Sequence, residues 1–319
     1  MKKSIFAFAA ALAALVACNK NEATPMQPQN QESLVPCELT VGICGAMTKA
    51  TAVSADNEAK VNNLQVFVFR GDDLDAYASV DNAQELTLSC TAGDRVVYAL
   101  VNAPDYSAVP GKAALLAKVS ELSANSLSNF EMVGSKSVTL PQSEKVSIDV
   151  NRIASRVVLK KITRSFTSEA LQALDFTVDA IYLINVAGNT SYDLTKAPAT
   201  WYNVAKNNNE LASLLYDAPA SAIVNGQSYT PVHTFYGYPN DLSVNTTRLV
   251  IETTLGSTKY YYPINLPAME SNKSYEIEEV KITRPGSDNP DEPVSFADAS
   301  FSVNVIDWTV VPVTEGTTI

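Results

Sequence analysis

The chain of 319 residues is poor in the side chains from which enzymes build active sites. It contains one histidine, His233, so any histidine base would have to be this residue. No serine lies in a G-x-S-x-G turn, and the 12 glycines form no phosphate-binding loop. The cysteines and the histidine do not cluster at zinc spacing. These absences predict a protein that is not an enzyme and holds no metal or cofactor, with His233 as a structural residue.

Basic side chains are also scarce, with 23 Lys and Arg against 34 Asp and Glu and a net charge of -11. This balance argues against nucleic-acid binding, which requires a basic face. Asp72, Asp73 and Asp75 resemble the start of a calcium loop, but the glycine and the distal glutamate of that loop are missing. A second acidic group is interpreted as a solvated turn: Asp288, Asp291 and Glu292.

Long hydrophobic runs are missing except at the N-terminus. Ile5–Val16 is uninterrupted and follows two lysines. It is shorter than the roughly 20 residues of a transmembrane helix and has the length of a signal-peptide core. The run ends in Leu-Val-Ala-Cys18, which is a lipobox pattern. The sequence therefore predicts a lipoprotein signal peptide over residues 1–18, lipidation at Cys18, and a polar, disordered tether that follows.

Cysteine is equally scarce beyond the lipobox. Cys37, Cys44 and Cys90 remain, an odd number that excludes a disulfide framework and allows one pair at most. We expect ordinary buried thiols at these positions.

Short segments of alternating hydrophobicity, separated by turn residues, dominate the rest of the chain and predict a mostly β protein. Two segments have helical spacing, 111–122 and 203–215, and three prolines and a glycine predict a linker over 285–293. The predicted strands are 39–45, 61–69, 85–90, 95–102, 136–140, 145–150, 156–162, 176–186, 248–255, 258–266, 274–283 and 299–306. This order predicts two antiparallel β-sandwich domains, over residues 50–152 and 153–319.

Several aromatic residues are grouped, as in Tyr260–Tyr262 and Tyr236–Tyr238, with Trp201 and Tyr202 elsewhere. Exposed aromatic rings can bind sugars. Consecutive tyrosines in a strand place rings on both faces, however, as a covered sheet also does. Core packing is the favoured interpretation, and a glycan site is the alternative.

Five segments in this order, behind a lipobox, give the chain a family likeness. It resembles the major fimbrial subunit (fimbrillin) family, the subunits of type V pili. The resemblance covers nearly the whole chain. The segments that carry it are Lys60–Arg70, Tyr98–Pro104, Asn151–Val157, Phe235–Asn240 and Ser274–Pro293.

The resemblance implies two transthyretin-like β-sandwich domains and an assembly mechanism. Members are exported as lipoproteins, and a trypsin-like surface protease then removes the N-terminal segment with its first strand. A strand from the next subunit fills the groove that is left. The matching parts here are a removable first strand with Leu39, Val41 and Ile43, a cleavage point at Lys49–Ala50, and a donor tail with Val310, Val311 and Val313. The family's usual residue at the cleavage point is arginine.

The predicted function is a stalk subunit of a cell-surface fimbrium that polymerises by donor-strand exchange and supports adhesion. The predicted partners are copies of itself, related subunits, the outer-membrane lipid through Cys18, and a trypsin-like protease. The alternatives are an anchor or tip subunit of the same fimbrium, or a glycan-binding surface lipoprotein.

Overall fold

A computed structural model describes residues 34–44, 55–204, 206–292 and 299–308. The chain from Val35 onward forms one compact unit. The mostly β class predicted from the alternating pattern is confirmed, with several antiparallel sheets and few helices. Among the described residues there is no helix with the length and apolar character that a bilayer crossing requires.

The strands are numbered in chain order. Those of the first half are β1 (Pro36–Cys44), β2 (Asn63–Arg70), β3 (Asp73–Asp81), β4 (Glu85–Thr91), β5 (Gly93–Val101), β6 (Val119–Glu121), β7 (Met132–Leu140), β8 (Val146–Asp149) and β9 (Asn151–Arg152). Those of the second half are β10 (Ser155–Leu159), β11 (Ile162–Arg164), β12 (Phe176–Ile184), β13 (Val186–Ala187), β14 (Asn189–Ser191), β15 (Trp201–Tyr202), β16 (Tyr216–Asp217), β17 (Ser221–Ala222), β18 (Ser228–Tyr229), β19 (His233–Gly237), β20 (Arg248–Leu255), β21 (Thr258–Asn265), β22 (Lys273–Ile277), β23 (Val280–Ile282), β24 (Ala299–Ser300) and β25 (Val303–Asp307).

The helices in the described residues are short. They are α1 (Ala55–Glu58), α2 (Lys112–Leu116), α3 (Glu169–Gln172) and α4 (Ala212–Leu215), with a 3-10 turn at Leu122–Ala124.

The first half of the chain builds two sheets. One has three strands in the order β4-β1-β8, and the other has five in the order β3-β2-β5-β7-β9. Strand β2 is apolar on both faces, and Val66, Phe67 and Val68 are all fully buried. A strand in the middle of a sheet that is covered on both sides requires such a sequence. The strand order places β2 and β5 at the centre of the hydrophobic core.

The second half of the chain builds three larger sheets. Their orders are β19-β10-β22-β25, β18-β11-β23-β24 and β16-β12-β20-β21, with β17 also on β12. A short ladder between β6 and β14 joins the two halves. Buried polar contacts support it, since the Tyr238 hydroxyl lies 2.5 Å from Ser120 Oγ and accepts from Asn125 Nδ2 at 2.7 Å.

A helix is present in each segment predicted from apolar spacing, but both helices are shorter than the segments. The helix expected over 111–122 ends at Leu116, and the chain then forms β6, which pairs with β14. In the segment 203–215, helix α4 covers Ala212–Leu215. Alternating apolar residues near a sheet edge satisfy either geometry, and the distant partner strand decides between them.

The segment predicted as a linker is irregular but packed against the sheet. Ser287 exchanges two backbone hydrogen bonds with Tyr261, of 2.8 and 2.9 Å. A Cβ at Gly286 would lie 2.3 Å from the Tyr261 carbonyl oxygen, so only glycine permits this approach. Asp291 accepts from Asn185 Nδ2 at 3.0 Å and pairs with Arg248. The segment with Asp288, Asp291 and Glu292, which was expected to be a solvated turn, therefore covers the edge strand β21 at Tyr261. The Asp291 carboxylate is held in place by Asn185 and Arg248.

Candidate functional site

The first strand lies in the middle of its sheet. β1 pairs antiparallel with β4 from Pro36↔Thr91 to Gly42↔Glu85, and parallel with β8 from Val41↔Val146 to Cys44↔Asp149. The ladder continues beyond the strand ends, where Ile43 donates to Gln84 at 2.9 Å. β1 is therefore hydrogen-bonded along both of its edges, to β4 on one side and to β8 on the other.

The two faces of β1 differ in chemistry. Leu39 is 2% exposed and Val41 is fully buried, while Ile43 is half-buried on the same inner face. On the outer face, the Thr40 and Thr87 hydroxyls lie 2.8 Å apart. Leu39, Val41 and Ile43 thus form an apolar row that inserts into the core.

An ion pair crosses over the outer face of β1. Lys145 Nζ, just before β8, lies 2.6 Å from Glu85 Oε2 at the start of β4. The lysine side chain passes over Gly42, where an added Cβ would lie 2.8 Å from Lys145 Cδ. Both charged side chains are about half exposed, so the pair contributes little stability.

The three described cysteines all lie on this sheet. Cys37 faces Cys90 across the β1–β4 ladder, and their sulfurs are 3.7 Å apart. Burial, followed by the contact with Cys37, raises the pKa of Cys90 to about 12. At the other end of β1, the Cys44 thiol donates to Asp149 at 3.0 Å, and partial burial and this carboxylate raise its pKa to about 11.

A buried carboxylate lies where the described chain resumes after β1. Glu58, the last residue of α1, is fully buried. It accepts from Arg156 at 3.1 Å, from Trp308 Nε1 at 3.2 Å and from the Tyr236 hydroxyl. A buried charge is tolerated only with such partners, and these come from three distant segments.

Two arginines stack on the tryptophan of this cluster. The guanidinium of Arg152 is 4.5 Å from the Trp308 ring and that of Arg156 is 5.2 Å away. Arg152 Nε also donates to the Glu58 carbonyl at 3.0 Å, and burial lowers the Arg152 pKa to about 10. The Trp308 backbone nitrogen donates to Asn272 at 2.9 Å, so the end of the described chain is fixed by both its backbone and its ring. We call Glu58, Arg152, Arg156, Tyr236 and Trp308 the Glu58 cluster.

Sequence reasoning found β1 but missed the Glu58 cluster. The prediction of a strand over 39–45 agrees with β1 to within three residues at its start. Glu58 lies in an unremarkable polar stretch, and its partners are up to 250 residues away in the chain. The signal that the sequence offers for this cluster is that Arg152, Arg156 and Tyr236 lie in segments that carry the family resemblance.

Of the other residues singled out in the sequence, six lie outside the described part of the chain and His233 lies within the fold. Cys18, Lys49, Ala50, Val310, Val311 and Val313 lie outside the described residues. His233 is buried, with its Nδ1 2.7 Å from Asp217 and its Nε2 3.1 Å from the Tyr229 hydroxyl. Every polar atom of the imidazole is therefore engaged within the fold.

The acidic group of the rejected calcium loop has separate roles. The Asp72 carboxylate accepts from the Ala113 backbone at the start of α2, at 2.7 Å. Asp75 forms a buried ion pair with Arg95 at 3.0 Å. These carboxylates therefore point to different partners.

The grouped aromatic residues are mostly in the interior. Tyr236, Tyr238 and Tyr262 are buried, and Tyr260 and Tyr261 are half-buried against apolar neighbours. Buried rings offer no platform to a sugar, which weakens the glycan-binding alternative.

Comparison with known proteins gives this arrangement a context. Residues 38–157 match the family model described as "Major fimbrial subunit protein (FimA)". The chain is 25% identical over 282 residues to the major fimbrium subunit FimC of Porphyromonas gingivalis, covering 79% of this chain and 59% of the relative. The chain thus spans less than two thirds of the length of that curated relative.

Solved structures share the fold. A putative cell adhesion protein from Bacteroides eggerthii superposes with a TM-score of 0.70 at 20% identity, covering 89% of this chain and all of that one. A fimbrilin (FimA) from Porphyromonas gingivalis W83 gives a TM-score of 0.62 at 15% identity, covering 86% and 98%. The resemblance found in the sequence is confirmed over residues 38–157, which match the major fimbrial subunit model, and the described chain has a fold that a fimbrilin shares.

Proposed function

We propose that the protein is a stalk subunit of a cell-surface fimbrium, exported as a lipoprotein and assembled by exchange of its first strand. The family match and the relatives named as major fimbrium subunits support the fimbrial role. The proposal includes two β-sandwich domains that divide near residue 152, in keeping with sheets drawn almost entirely from one half of the chain.

The observation that carries the proposal is the position of β1. Removal of this strand leaves the ladder edges of β4 and β8 unpaired on either side of one groove. Unpaired strand edges are a template for another strand, and main-chain hydrogen bonds then supply affinity. An incoming strand that buries four or five apolar side chains gains on the order of 10 kcal/mol before entropy is subtracted.

The donor strand is supplied by the C-terminal tail, residues 309–319, in which Val311 and Val313 lie on one face of the extended strand and Val310 on the other. The tail begins directly after Trp308, which the Glu58 cluster holds in the core. An anchored starting point reduces the entropy lost when the tail binds a neighbour. The Glu58 cluster therefore serves as the fixed base of the donor strand.

The groove is opened by proteolysis at Lys49–Ala50. Lys49 is the only basic residue between Lys20 and Lys60, so a trypsin-like protease has one choice in this segment. The cut separates Cys18 and β1 from the remaining chain. Lipidation thus delivers the subunit to the outer membrane, and cleavage frees it for the fibre.

Limited proteolysis tests this mechanism. The purified full chain is treated with a trypsin-like protease and then followed by N-terminal sequencing and by a multimer ladder on gels of unheated samples. We expect an N-terminus at Ala50 and multimers. The Lys49→Gln variant should remain uncut and monomeric, and a chain lacking residues 309–319 should be cut but remain monomeric. Cleavage without multimers in the unaltered chain, in the presence of dithiothreitol, would overturn the proposal.

An anchor subunit is the second candidate, favoured by the lysine at position 49 where the family usually has arginine. An anchor would keep its lipid and resist the protease. The N-terminal residue of the protein on cells separates the two, since Ala50 rejects the anchor and lipidated Cys18 rejects the stalk.

A further inference from the structure

The pairing register brings two thiols together on the strand that the proposed mechanism removes. Cys37 and Cys90 are direct partners in the antiparallel β1–β4 ladder. Ala92 donates to Val35 at 2.8 Å, which makes residues 35 and 92 a hydrogen-bonded pair and, two positions on, Cys37 and Cys90 another. Such partners have Cα atoms about 5.5 Å apart, within the range that a disulfide requires.

Both side chains also point to the same side. Cys90 is buried in the core and Cys37 packs against it, with 3.7 Å between the sulfurs. Cys44 has no such option among the described residues, because it lies at the other end of β1 and its thiol donates to Asp149. The geometry therefore selects one pair from the three cysteines.

We propose that Cys37 and Cys90 form a disulfide that covalently ties β1 to the domain. The oxidant is a disulfide donor RSSR, which is a small-molecule disulfide or an oxidoreductase of the exporting compartment. The Cys37 thiolate, on the more exposed side chain, attacks RSSR and releases RS⁻. The Cys90 thiol then loses its proton and displaces the second RS⁻, so two thiols are oxidised and one RSSR is reduced to two RSH.

The bond gives the first strand a redox-controlled release. This part rests on the proposed function, because it concerns the strand that proteolysis would remove. A cut between β1 and α1 leaves the ladder, and also the disulfide, holding β1 in its groove. The cleaved domain stays linked to the N-terminal segment, and through it to the lipid, until a reductant opens the bond. Proteolysis and reduction are then both required before another strand enters.

The bond itself is tested without reference to fimbrial assembly. The full chain is incubated with oxidised glutathione, denatured, alkylated and digested, and the peptides are analysed by mass spectrometry. We expect one cross-linked peptide joining Cys37 to Cys90, with the loss of two hydrogens, and an alkylated Cys44. The Cys44→Ser variant should keep the cross-link, and Cys90→Ser should lose it. Alkylation of both Cys37 and Cys90, a stable glutathione adduct at Cys37, or a cross-link through Cys44 would overturn the proposal.

The release step is tested on oxidised and cleaved protein. On denaturing gels without reductant, the N-terminal fragment should migrate with the main chain, and dithiothreitol should separate the two. Multimers should form from the oxidised chain only after dithiothreitol is added, whereas Cys90→Ser should form them in either condition. Equal multimer formation with and without reductant would refute the controlled release.

The two proposals fail in distinguishable ways. If the chain resists cleavage at Lys49, stalk assembly fails, and a specific protease sequence inserted after residue 49 still tests whether the fragment remains attached. If cleaved Cys90→Ser forms multimers but the unaltered chain never forms the cross-link, stalk assembly stands and the disulfide is refuted.

Discussion

The first and last described strands, β1 and β25, are held in opposite ways. β1 has a ladder partner on both sides and buries Leu39 and Val41. β25 is an edge strand on β22, and its Val305 and Ile306 are 50% and 46% exposed. The fold therefore depends on its N-terminal strand far more than on its C-terminal one. Loss of β1 would open the core, whereas loss of β25 would expose only the edge of β22.

The same substitution in both strands is the strongest test of this difference. Val41→Asp loses a buried side chain and inserts a carboxylate into the core, so we expect a loss of about 5 kcal/mol in the free energy of unfolding. Val305→Asp on the exposed edge should change it by less than about 0.5 kcal/mol. Urea denaturation of the full chain measures both. Similar losses from the two variants would contradict the contrast.

The comparison is sharpened by Trp308, which follows β25 directly. Its ring is buried and its Nε1 donates to Glu58, so Trp308→Ala should destabilise the protein by about 4 kcal/mol. Trp308→Phe is the matched control, because it keeps an aromatic ring for the two arginines and loses the hydrogen bond and some volume. It should have roughly half the effect. A negligible effect of the alanine variant in thermal unfolding would mean that the Glu58 cluster does not anchor the tail.

Oxidation should strengthen the attachment of β1 to the domain and leave the attachment of β25 unchanged. Cys37 and Cys90 are 53 residues apart in the chain, and closing a loop of this size is expected to add about 4 kcal/mol to the stability. The melting temperature should therefore rise on oxidation of the unaltered chain and of Cys44→Ser. Cys90→Ser should show no such rise, and a rise in that variant would assign the effect to another oxidation.

The smallest effect is expected from the ion pairs on the two strands. Lys145 pairs with Glu85 across β1, and Lys273 pairs with Asp307 at the end of β25, with both pairs partly exposed. Lys145→Ala should cost less than about 1 kcal/mol. Lys273→Ala should lower the stability no more than Lys145→Ala does, and both differences from wild type should shrink in high salt. A loss of several kcal/mol from Lys145→Ala would mean that the Lys145–Glu85 ion pair, rather than the apolar row of β1, holds the strand in place.

The sequence predicts those parts of the fold that are set by local pattern. Strand β4 alternates and strand β2 contains a continuous apolar run, and these patterns alone place them. β3 was missed because an edge strand is half exposed and tolerates the aspartates that suggested a loop. β6 was missed because its pairing with β14 joins residues about 70 positions apart.

The candidate site likewise has one part that the local sequence pattern predicts and other parts that it does not. The inner row of β1 was predicted from its alternation, because one buried face requires it. The Cys37–Cys90 contact and the Glu58 cluster depend on register and on convergence of distant segments, which no local pattern encodes. The prediction of ordinary buried thiols is confirmed in its burial for Cys90 and is wrong for Cys37, which is half-buried, and for Cys44, which is exposed.

The long separations around β1 also bear on the order of folding. Its partner on one side is 53 residues away at Cys90, and on the other side Cys44 meets Asp149 across 105 residues. Contacts this distant in sequence are slow to form, because the entropy of closing the loop is lost before the contact is gained. We therefore expect the three-stranded sheet to close last, after the β2–β3 hairpin and the pairing of β2 with β5. A strand that joins the fold late also leaves it without disturbing what formed earlier, so its exchange does not require the rest of the domain to unfold.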